Sequence, residues 1–184
     1  VAATDCCADV LAWSAAMTVS CAPTVRIAQR TGCHVVGVTL SKEQLAVGHA
    51  RVAAAGVAHL VDLRLQDYRH IEAAEGKESF DRIVSCEMLE AVGHEHLPSF
   101  FECLERHLKP GGLAAVQVIT LPDERYEAYC NQHSDFIRKH IFPGGHLPSF
   151  TAMQVTGRHG HCSCHRRQPH ITAFHLASSA ILSA

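Results

Sequence analysis

The N-terminal part of the chain lacks glycine. None occurs between Val1 and Arg30, although the 184 residues include 12 glycines. A loop whose backbone closely approaches a phosphate or a nucleotide needs glycine, because a Cβ atom would collide with the ligand. The absence excludes a glycine-rich nucleotide loop in this region.

Excess charge of one sign and long apolar runs are also missing. The formal net charge is -2 and the isoelectric point is about 6.8. Basic residues cluster only at His165-Arg166-Arg167, so we expect no nucleic-acid partner. No apolar run is long enough to span a bilayer, and the N-terminus has no basic region typical of a secretory signal. We therefore expect a cytoplasmic protein.

The chain has nine cysteines and 15 histidines, and many of the histidines lie in the last third. An odd number of cysteines in a chain of this length indicates free thiols in a reducing compartment. Cys33 and Cys86 have no fixed base near them in sequence, so nucleophilic catalysis is not favoured. The stretch "HGHCSCHRRQPH" has a Cys-x-Cys spacing too tight for a zinc knuckle, so we predict no metal site.

The best-formed local pattern is "GCHVVGVTLSKEQLA", from Gly32 to Ala46. It begins with a short β-branched run, which is typical of a strand buried on both faces. Ser41 and Gln44 then form a capping box, which predicts a helix that ends near Gly56.

Strands and helices alternate from Val35 to Thr120. An amphipathic helix is predicted in "HLPSFFECLERHLKPGG" from the helical spacing of its apolar residues. Further strands are predicted in "HLVDLRLQDY", "FDRIVSCEML" and "LAAVQVITL". The alternation predicts a mostly parallel sheet with helices on both faces.

Polar side chains follow three of the predicted strands at the point where each strand ends. In an open parallel sheet, ligands bind at the carboxyl ends of the strands. Taken singly, Ser41 and Gln44 are explained as helix caps and Asp67 as the start of a turn; together they favour a ligand site. The segments are Thr39-Leu40-Ser41 with Gln44, Gln66-Asp67-Tyr68, and Ser85-Cys86-Glu87 running on to Glu90.

Glu90 lies just past a predicted strand end, among apolar residues of "EMLEAVGHEHL". Partial desolvation would make its carboxylate either active in proton transfer or a hydrogen-bond anchor. The alternative is a surface glutamate in the first turn of a helix, and the residues alone leave both open.

Several segments in order resemble the cyclopropane-fatty-acyl-phospholipid synthase family. The resemblance extends from about Arg26 to Gly160, and its most specific motifs are "GVTLS..Q", "EM.EAVG" and "IFPGG.LPS". It implies a Rossmann-like class I methyltransferase fold that uses S-adenosylmethionine and acts on a phospholipid with an unsaturated acyl chain.

The resemblance also implies a reaction and residue roles. In the family, the cis double bond takes the methyl group, a base then removes a proton from that group, and the ring closes. A bound bicarbonate is the implied base, held by Glu90 and by Gln117, where many members have histidine. The cofactor contacts carried over are Thr39, Leu40, Ser41, Gln44, Gln66, Asp67 and Tyr68.

Both ends of the chain depart from the family. The family has a first strand and an acid-x-Gly-x-Gly-x-Gly loop before the helix that ends at Gly32, whereas this chain has "TVSCAPTVRIAQRTG". We expect residues 1–24 to replace that strand and loop, residues 25–160 to form a methyltransferase-like core, and residues 161–184 to be a disordered tail. The fold is then incomplete, with at most a poor substitute for the first strand in residues 9–20, "DVLAWSAAMTVS", where "AAMTVS" is the makeshift strand. A fragment, a frame-shifted translation and a degenerate paralogue all remain open.

The predicted function is transfer of a methyl or methylene group to phospholipid acyl chains, with impaired cofactor binding. One alternative is a non-catalytic remnant or scaffold of the same fold. Another is a different small-molecule methyltransferase, against which "IFPGG.LPS" argues. The lipid substrate implies peripheral membrane contact, although no basic amphipathic helix supports it.

Overall fold

The computed structural model describes residues 9–14, 22–71, 79–132, 136–159 and 170–176. Its strands are β1 (Asp9–Ser14), β2 (His34–Thr39), β3 (Val61–Leu65), β4 (Phe80–Cys86), β5 (Leu108–Ile119) and β6 (His170–Leu176). They form one sheet in the order β3-β2-β1-β4-β5-β6, and every neighbouring pair is parallel.

Helices connect these strands. The α-helices are α1 (Ala22–Thr31), α2 (Lys42–Ala54), α3 (Leu97–His107), α4 (Asp123–Asn131) and α5 (Phe150–His159). Short 3₁₀ turns lie at Tyr68–His70, Leu89–Ala91 and His94–His96, and a π-helical turn at Ile137–Ile141.

The sheet has an apolar core on each face, because successive residues of a strand point to opposite sides. In β1, Leu11 belongs to one core, whereas Val10 and Ala12 belong to the other. The Leu11 core includes Phe100 of α3 and Met153 of α5, and the second core includes residues of α1 and α2. The prediction of a parallel sheet covered by helices on both faces is confirmed.

Glycine ends the first two helices, as predicted. Gly32 follows α1 with a φ of 68°, and Gly56 lies two residues past α2 with a φ of 69°. These left-handed conformations suit glycine at helix C-termini.

The sheet has its central first strand, at the start of residues 9–20, which were expected to substitute for it only poorly. β1 lies between β2 and β4, and its register runs from Asp9↔His34 to Trp13↔Val38 on one side. Three consecutive apolar residues, Val10, Leu11 and Ala12, fit a position buried on both faces, and Leu11 is fully buried. The makeshift strand proposed at "AAMTVS" falls on residues 15–20, which lie outside the described residues.

The structure also differs from the expected disordered tail. His170–Leu176 is a strand that pairs with β5 from Leu113↔His170 to Ile119↔Leu176. Its sequence, "HITAFHL", is rich in β-branched and aromatic residues, which favour strands. Residues 161–169 and 177–184 lie outside the described part of the chain.

β5 begins earlier than predicted. The predicted strand "LAAVQVITL" begins at Leu113, whereas β5 starts at Leu108 and includes the Pro-Gly-Gly, with a register shift between Phe80 and Arg82 of β4. Gly112 fits there because a Cβ would lie 2.9 Å from the Lys109 carbonyl oxygen. Within the described residues, no helix has the length and apolar character needed to cross a membrane.

Candidate functional site

A cleft of about 580 Å³ opens at the carboxyl ends of β2 and β3. The segment after β4 and the start of α3 close its other side. All seven residues predicted as cofactor contacts line it. The full lining is Val38, Thr39, Leu40, Ser41, Gln44, Gln66, Asp67, Tyr68, Arg69, Met88, Ala91, Val92, His96 and Ser99.

The wall formed by the start of α2 is built on a helix cap. Ser41 accepts a hydrogen bond from the Gln44 amide at 3.1 Å, as the capping box predicts. In a capping box the Gln44 side chain would bond directly to the Ser41 amide, but here Thr39 bridges the two. The Thr39 hydroxyl donates to Gln44 Oε1 at 2.8 Å and accepts from the Ser41 amide at 3.2 Å. The three polar side chains therefore form one connected group beside the cleft.

Asp67, at the end of β3, is held by its own turn. Its carboxylate caps the Tyr68–His70 turn by accepting from the Arg69 amide at 2.9 Å. The Arg69 side chain also donates to both carboxylate oxygens, with Nη2 2.5 Å from Oδ2. The hydrogen bond from Arg69 lowers the pKa of Asp67 below 3.8, against the opposing effect of burial. Asp67 is thus both a turn residue and a cleft residue.

Tyr68 and Leu40 give the cleft apolar surface. The Tyr68 ring meets Phe100 edge-on, with centroids 5.9 Å apart and planes at 63°. Burial raises the pKa of Tyr68, so its phenol stays neutral over the ordinary pH range. Leu40 is 72% exposed, which is unusual for a large apolar side chain and leaves it free to cover a ligand.

Glu90 does not line this cleft. Its Oε1 accepts from the Ile119 amide at 2.6 Å, at the carboxyl end of β5. Its Oε2 is buried and has no hydrogen-bond partner. Burial raises the pKa of Glu90 above 4.5, and the Ile119 amide and a Glu90 backbone contact oppose this, while Glu87 adds to it. The surface-glutamate alternative is therefore wrong, because this carboxylate is desolvated.

Gln117 lies two residues before Ile119, and its amide contacts other groups. Its Nε2 donates to Glu87 Oε1 at 3.3 Å, and its Oε1 accepts from the Cys86 thiol at 3.4 Å. Glu87 has a φ of 48°, a left-handed conformation that is uncommon for a residue with a side chain. Glu90 and Gln117 thus both lie at the carboxyl end of β5, but they bond to different groups: Glu90 to the Ile119 amide, and Gln117 to Glu87 and Cys86.

A cluster of aromatic and imidazole rings lies next to the Glu90 backbone. The Tyr126 hydroxyl is 2.9 Å from His94 Nδ1 and 2.8 Å from His146 Nε2. The backbone amide of His146 donates to the Glu90 carbonyl oxygen at 2.8 Å. Burial, with the nearby charges of His94 and Arg138, lowers the pKa of His146 to about 4, so this ring is neutral at physiological pH. Burial likewise raises the pKa of Tyr126.

Sequence reasoning missed several residues of the site. Arg69, His96 and Ser99 line the cleft, and the Ile119 amide binds Glu90. Arg69 follows a strand end that was already identified, so the same rule could have included it. His96 and Ser99 come from the start of α3 and carry no comparable signal. The third predicted strand end contributes Met88, Ala91 and Val92 instead of Ser85, which is buried within β4.

Solved structures share this architecture. The mycolic acid cyclopropane synthase CmaA1, solved with SAH and CTAB, has a TM-score of 0.64 and 29% identity, covering 81% of this chain and 52% of that one. The cyclopropane synthase MmaA2 from Mycobacterium tuberculosis has a TM-score of 0.65 at 24% identity, covering 88% and 56%, and supports the fold alone. The parallel sheet with its cleft at the strand ends is thus a class I S-adenosylmethionine-dependent methyltransferase fold.

Sequence comparison narrows the class to a family. The family model described as mycolic acid cyclopropane synthetase matches residues 20–175. The tuberculostearic acid methyltransferase UfaA1 of Mycobacterium tuberculosis (strain ATCC 25618 / H37Rv) is 44% identical over 137 residues, 73% of this chain. The cyclopropane-fatty-acyl-phospholipid synthase of Escherichia coli (strain K12) is 36% identical over 115 residues, 62% of this chain. The chain belongs to the mycolic acid cyclopropane synthetase family. It spans 30% of the first relative's length and 26% of the second's.

Proposed function

We propose that this chain binds S-adenosylmethionine and transfers its methyl group to a cis double bond in a phospholipid acyl chain. The observation that carries the proposal is the convergence of all seven predicted cofactor residues on one cleft. These residues come from two strand ends and the start of α2, so their meeting is a property of the fold and not of sequence proximity.

The polar groups of the cleft fit the cofactor. S-adenosylmethionine, when bound, supplies an electrophilic methyl group on a positively charged sulfur. Thr39, Ser41 and Gln44 present hydroxyl and amide groups suited to ribose, and Asp67 presents a carboxylate suited to an amine. The ring of Tyr68 and the exposed Leu40 supply the apolar surface that an adenine ring requires.

Glu90 supports a second part of the proposal. Its buried Oε2 is an acceptor without a donor, which is costly unless a ligand supplies one. The hydroxyl group of bicarbonate is such a donor, and bicarbonate at this place would supply the base that the reaction requires. Glu90 would fix its position through Oε2 while the Ile119 amide holds Oε1. Gln117, whose amide is bound to Glu87 and Cys86, would have to turn to join them.

The relatives indicate the substrate class. One is named a tuberculostearic acid methyltransferase and another a cyclopropane-fatty-acyl-phospholipid synthase, and both names refer to fatty acyl groups. We propose that the shared step is methyl transfer to an acyl chain, after which the product is either methylated or closed to a ring. A phospholipid substrate requires the cleft to work at a membrane surface. Nucleic acid has no place in this chemistry, in keeping with the net charge of -2.

Two features favour weak cofactor binding. No glycine occurs between Val1 and Arg30, where the family places its glycine loop. The Asp67 carboxylate is already bound to Arg69. The same two features favour the second candidate function, a non-catalytic remnant of the fold.

Isothermal titration with S-adenosylmethionine and S-adenosylhomocysteine separates these functions. We expect weak binding, with a dissociation constant of roughly 0.1–1 mM, that Gln44→Ala weakens about tenfold, since a lost hydrogen bond to a ligand is worth about 1–1.5 kcal/mol. The matched control is Lys42→Ala, in the same helical turn but outside the cleft lining. Absence of binding at millimolar ligand would favour a non-catalytic remnant of the fold. Binding with a micromolar dissociation constant would refute the proposal that cofactor binding is impaired.

Activity is tested with vesicles of a monounsaturated phospholipid and cofactor labelled in its methyl group. Transfer of label into the acyl chain, lost in Glu90→Ala, supports the proposal. Cofactor binding without transfer would restrict the chain to a binding function.

A further inference from the structure

Among the described residues, one group of side chains has the composition and proximity of a metal site. His94, Cys130 and His146 each offer one ligand atom, and these three atoms lie within 4.8 Å of one another. They come from the 3₁₀ turn after Gly93, from α4 and from the loop before α5. Three separate elements therefore bring two imidazoles and a thiol to one place.

We propose that His94, Cys130 and His146 bind a transition-metal ion of the zinc class. Imidazole nitrogen and thiolate sulfur are the ligands that zinc prefers, at distances of about 2.0–2.3 Å in tetrahedral geometry. In such a site the ligand atoms lie roughly 3.3–3.8 Å apart, so small side-chain movements suffice here. This inference does not depend on the proposed function.

Tyr126 marks the point on which the ligands converge. Its hydroxyl contacts both ring nitrogens, at 2.9 Å to His94 and 2.8 Å to His146, and also has a hydrogen bond with Cys130. One polar oxygen thus satisfies the three groups that would otherwise coordinate the ion. Binding of the metal exchanges these hydrogen bonds for coordination bonds, and the phenol oxygen or water takes the fourth position.

The ligands differ in accessibility in a way that suits ion entry. His94 and Cys130 are exposed, whereas His146 is only 4% exposed. An ion can therefore reach the thiol and the outer imidazole from solvent and complete its coordination at the buried ring. The backbone amide of His146 is bonded to the Glu90 carbonyl oxygen at 2.8 Å. A bound ion would then join α4 and the turn after Gly93 to the His146 loop, which is itself bonded to the Glu90 backbone.

Sequence spacing does not reveal this group. The residues are separated by 36 and 16 positions, whereas zinc motifs recognised from sequence keep paired ligands a few residues apart. The prediction from sequence considered the Cys-x-Cys near the C-terminus, which does not include any of these residues.

Cobalt titration of the reduced 184-residue chain tests the proposal, because a thiolate ligand gives Co²⁺ a near-ultraviolet charge-transfer band that Zn²⁺ then abolishes. We expect Cys130→Ala and His94→Ala each to bind about one ion fewer per chain than the wild type, as loss of a ligand from a three-residue site predicts. Cys130→Ala should also reduce the charge-transfer band. The controls are Cys86→Ala and His96→Ala, a thiol and a neighbouring imidazole outside the group; both should bind as the wild type does.

The titration is paired with thermal unfolding in the presence of a chelator, where His94→Ala and Cys130→Ala should melt as the wild type does because both residues are exposed. Zn²⁺ should then raise the melting temperature of the wild type and of the controls more than that of these two variants. The proposal would be overturned if the wild type, the two site variants and the two controls bound the same amount of metal. It would also be overturned if the controls lost as much metal binding as the site variants.

Discussion

Glu90 shows how the fold sets one carboxylate apart from the other acids. Most acidic side chains of the described residues are exposed or paired with a base, as Asp67 is with Arg69. Glu90 instead has one oxygen bound to a backbone amide and the other buried without a partner. The charged form is therefore disfavoured, and protonation is coupled to folding.

The Glu90→Gln substitution tests this coupling. Since the pKa of Glu90 is raised in the folded state, the folded chain binds more protons than the unfolded chain at pH values between 4.5 and the raised pKa. The free energy of unfolding of the wild type should fall as the pH rises through this window, and Glu90→Gln should lack that part of the fall. Urea denaturation at a series of pH values measures it, with the exposed Glu95→Gln as control. Parallel pH profiles for wild type and Glu90→Gln would contradict the assignment.

At the scale of elements, α3 connects the core to the cleft. Phe100 is fully buried and meets both Tyr68 and Phe101 edge-on, at centroid distances of 5.9 Å and 5.4 Å. Tyr68 lines the cleft, so α3 supports the site through this aromatic contact as well as through Ser99, which lines the cleft directly.

Phe100→Ala should therefore affect both stability and ligand binding. We expect a loss of about 3–5 kcal/mol in the free energy of unfolding, as is usual for a buried phenylalanine. Glu102→Ala, exposed on the same helix, should change it by less than about 0.5 kcal/mol. Chemical denaturation measures both losses, and titration with S-adenosylhomocysteine measures the effect of Phe100→Ala on ligand binding. A loss as small as that of Glu102→Ala would show that the Phe100 contact is not part of the core.

Elements with strong local signals could be predicted from the sequence. The helix that begins after Ser41 and ends before Gly56 is specified by its cap and its stop, and both are present. Interactions between turns and side chains could not be predicted. Thr39 bonds to Gln44, and Arg69 bonds to Asp67, because the backbone geometry of each turn brings them together.

At the scale of the whole molecule, the strand order determines where the site lies. β1 is central, and the cleft residues follow β2 and β3 on one side of it and β4 on the other. The site could be predicted from strand ends because parallel strands bring their carboxyl ends to one edge. The central strand was harder to identify, since "DVLAWS" offers only four consecutive apolar residues and lacks the glycine loop that would normally follow it.

Leu11→Ala tests the central position of β1. Leu11 is fully buried between the neighbouring strands, so its truncation should cost about 2–5 kcal/mol of unfolding free energy. Leu65→Ala, at the edge strand β3 and 45% exposed, should cost clearly less. Hydrogen exchange should speed up in β2 and β4 for Leu11→Ala alone. Similar costs for the two variants would show that residues 9–14 do not form the centre of the sheet.

The Tyr126 hydroxyl lies between two histidines, and its hydrogen bonds determine which ring nitrogen of each histidine is protonated. It has one proton and three partners, because Cys130 also bonds to it, so it donates to one partner and accepts from each imidazole to which it does not donate. While both rings are neutral, donation to His94 Nδ1 leaves both rings protonated at Nε2, whereas donation to His146 Nε2 leaves both protonated at Nδ1. Donation to Cys130 instead leaves His94 protonated at Nδ1 and His146 protonated at Nε2. The tautomers of the two imidazoles therefore depend on each other through the single phenol proton. An event at the exposed ring is in this way transmitted, without any change of net charge, to the buried ring beside Glu90.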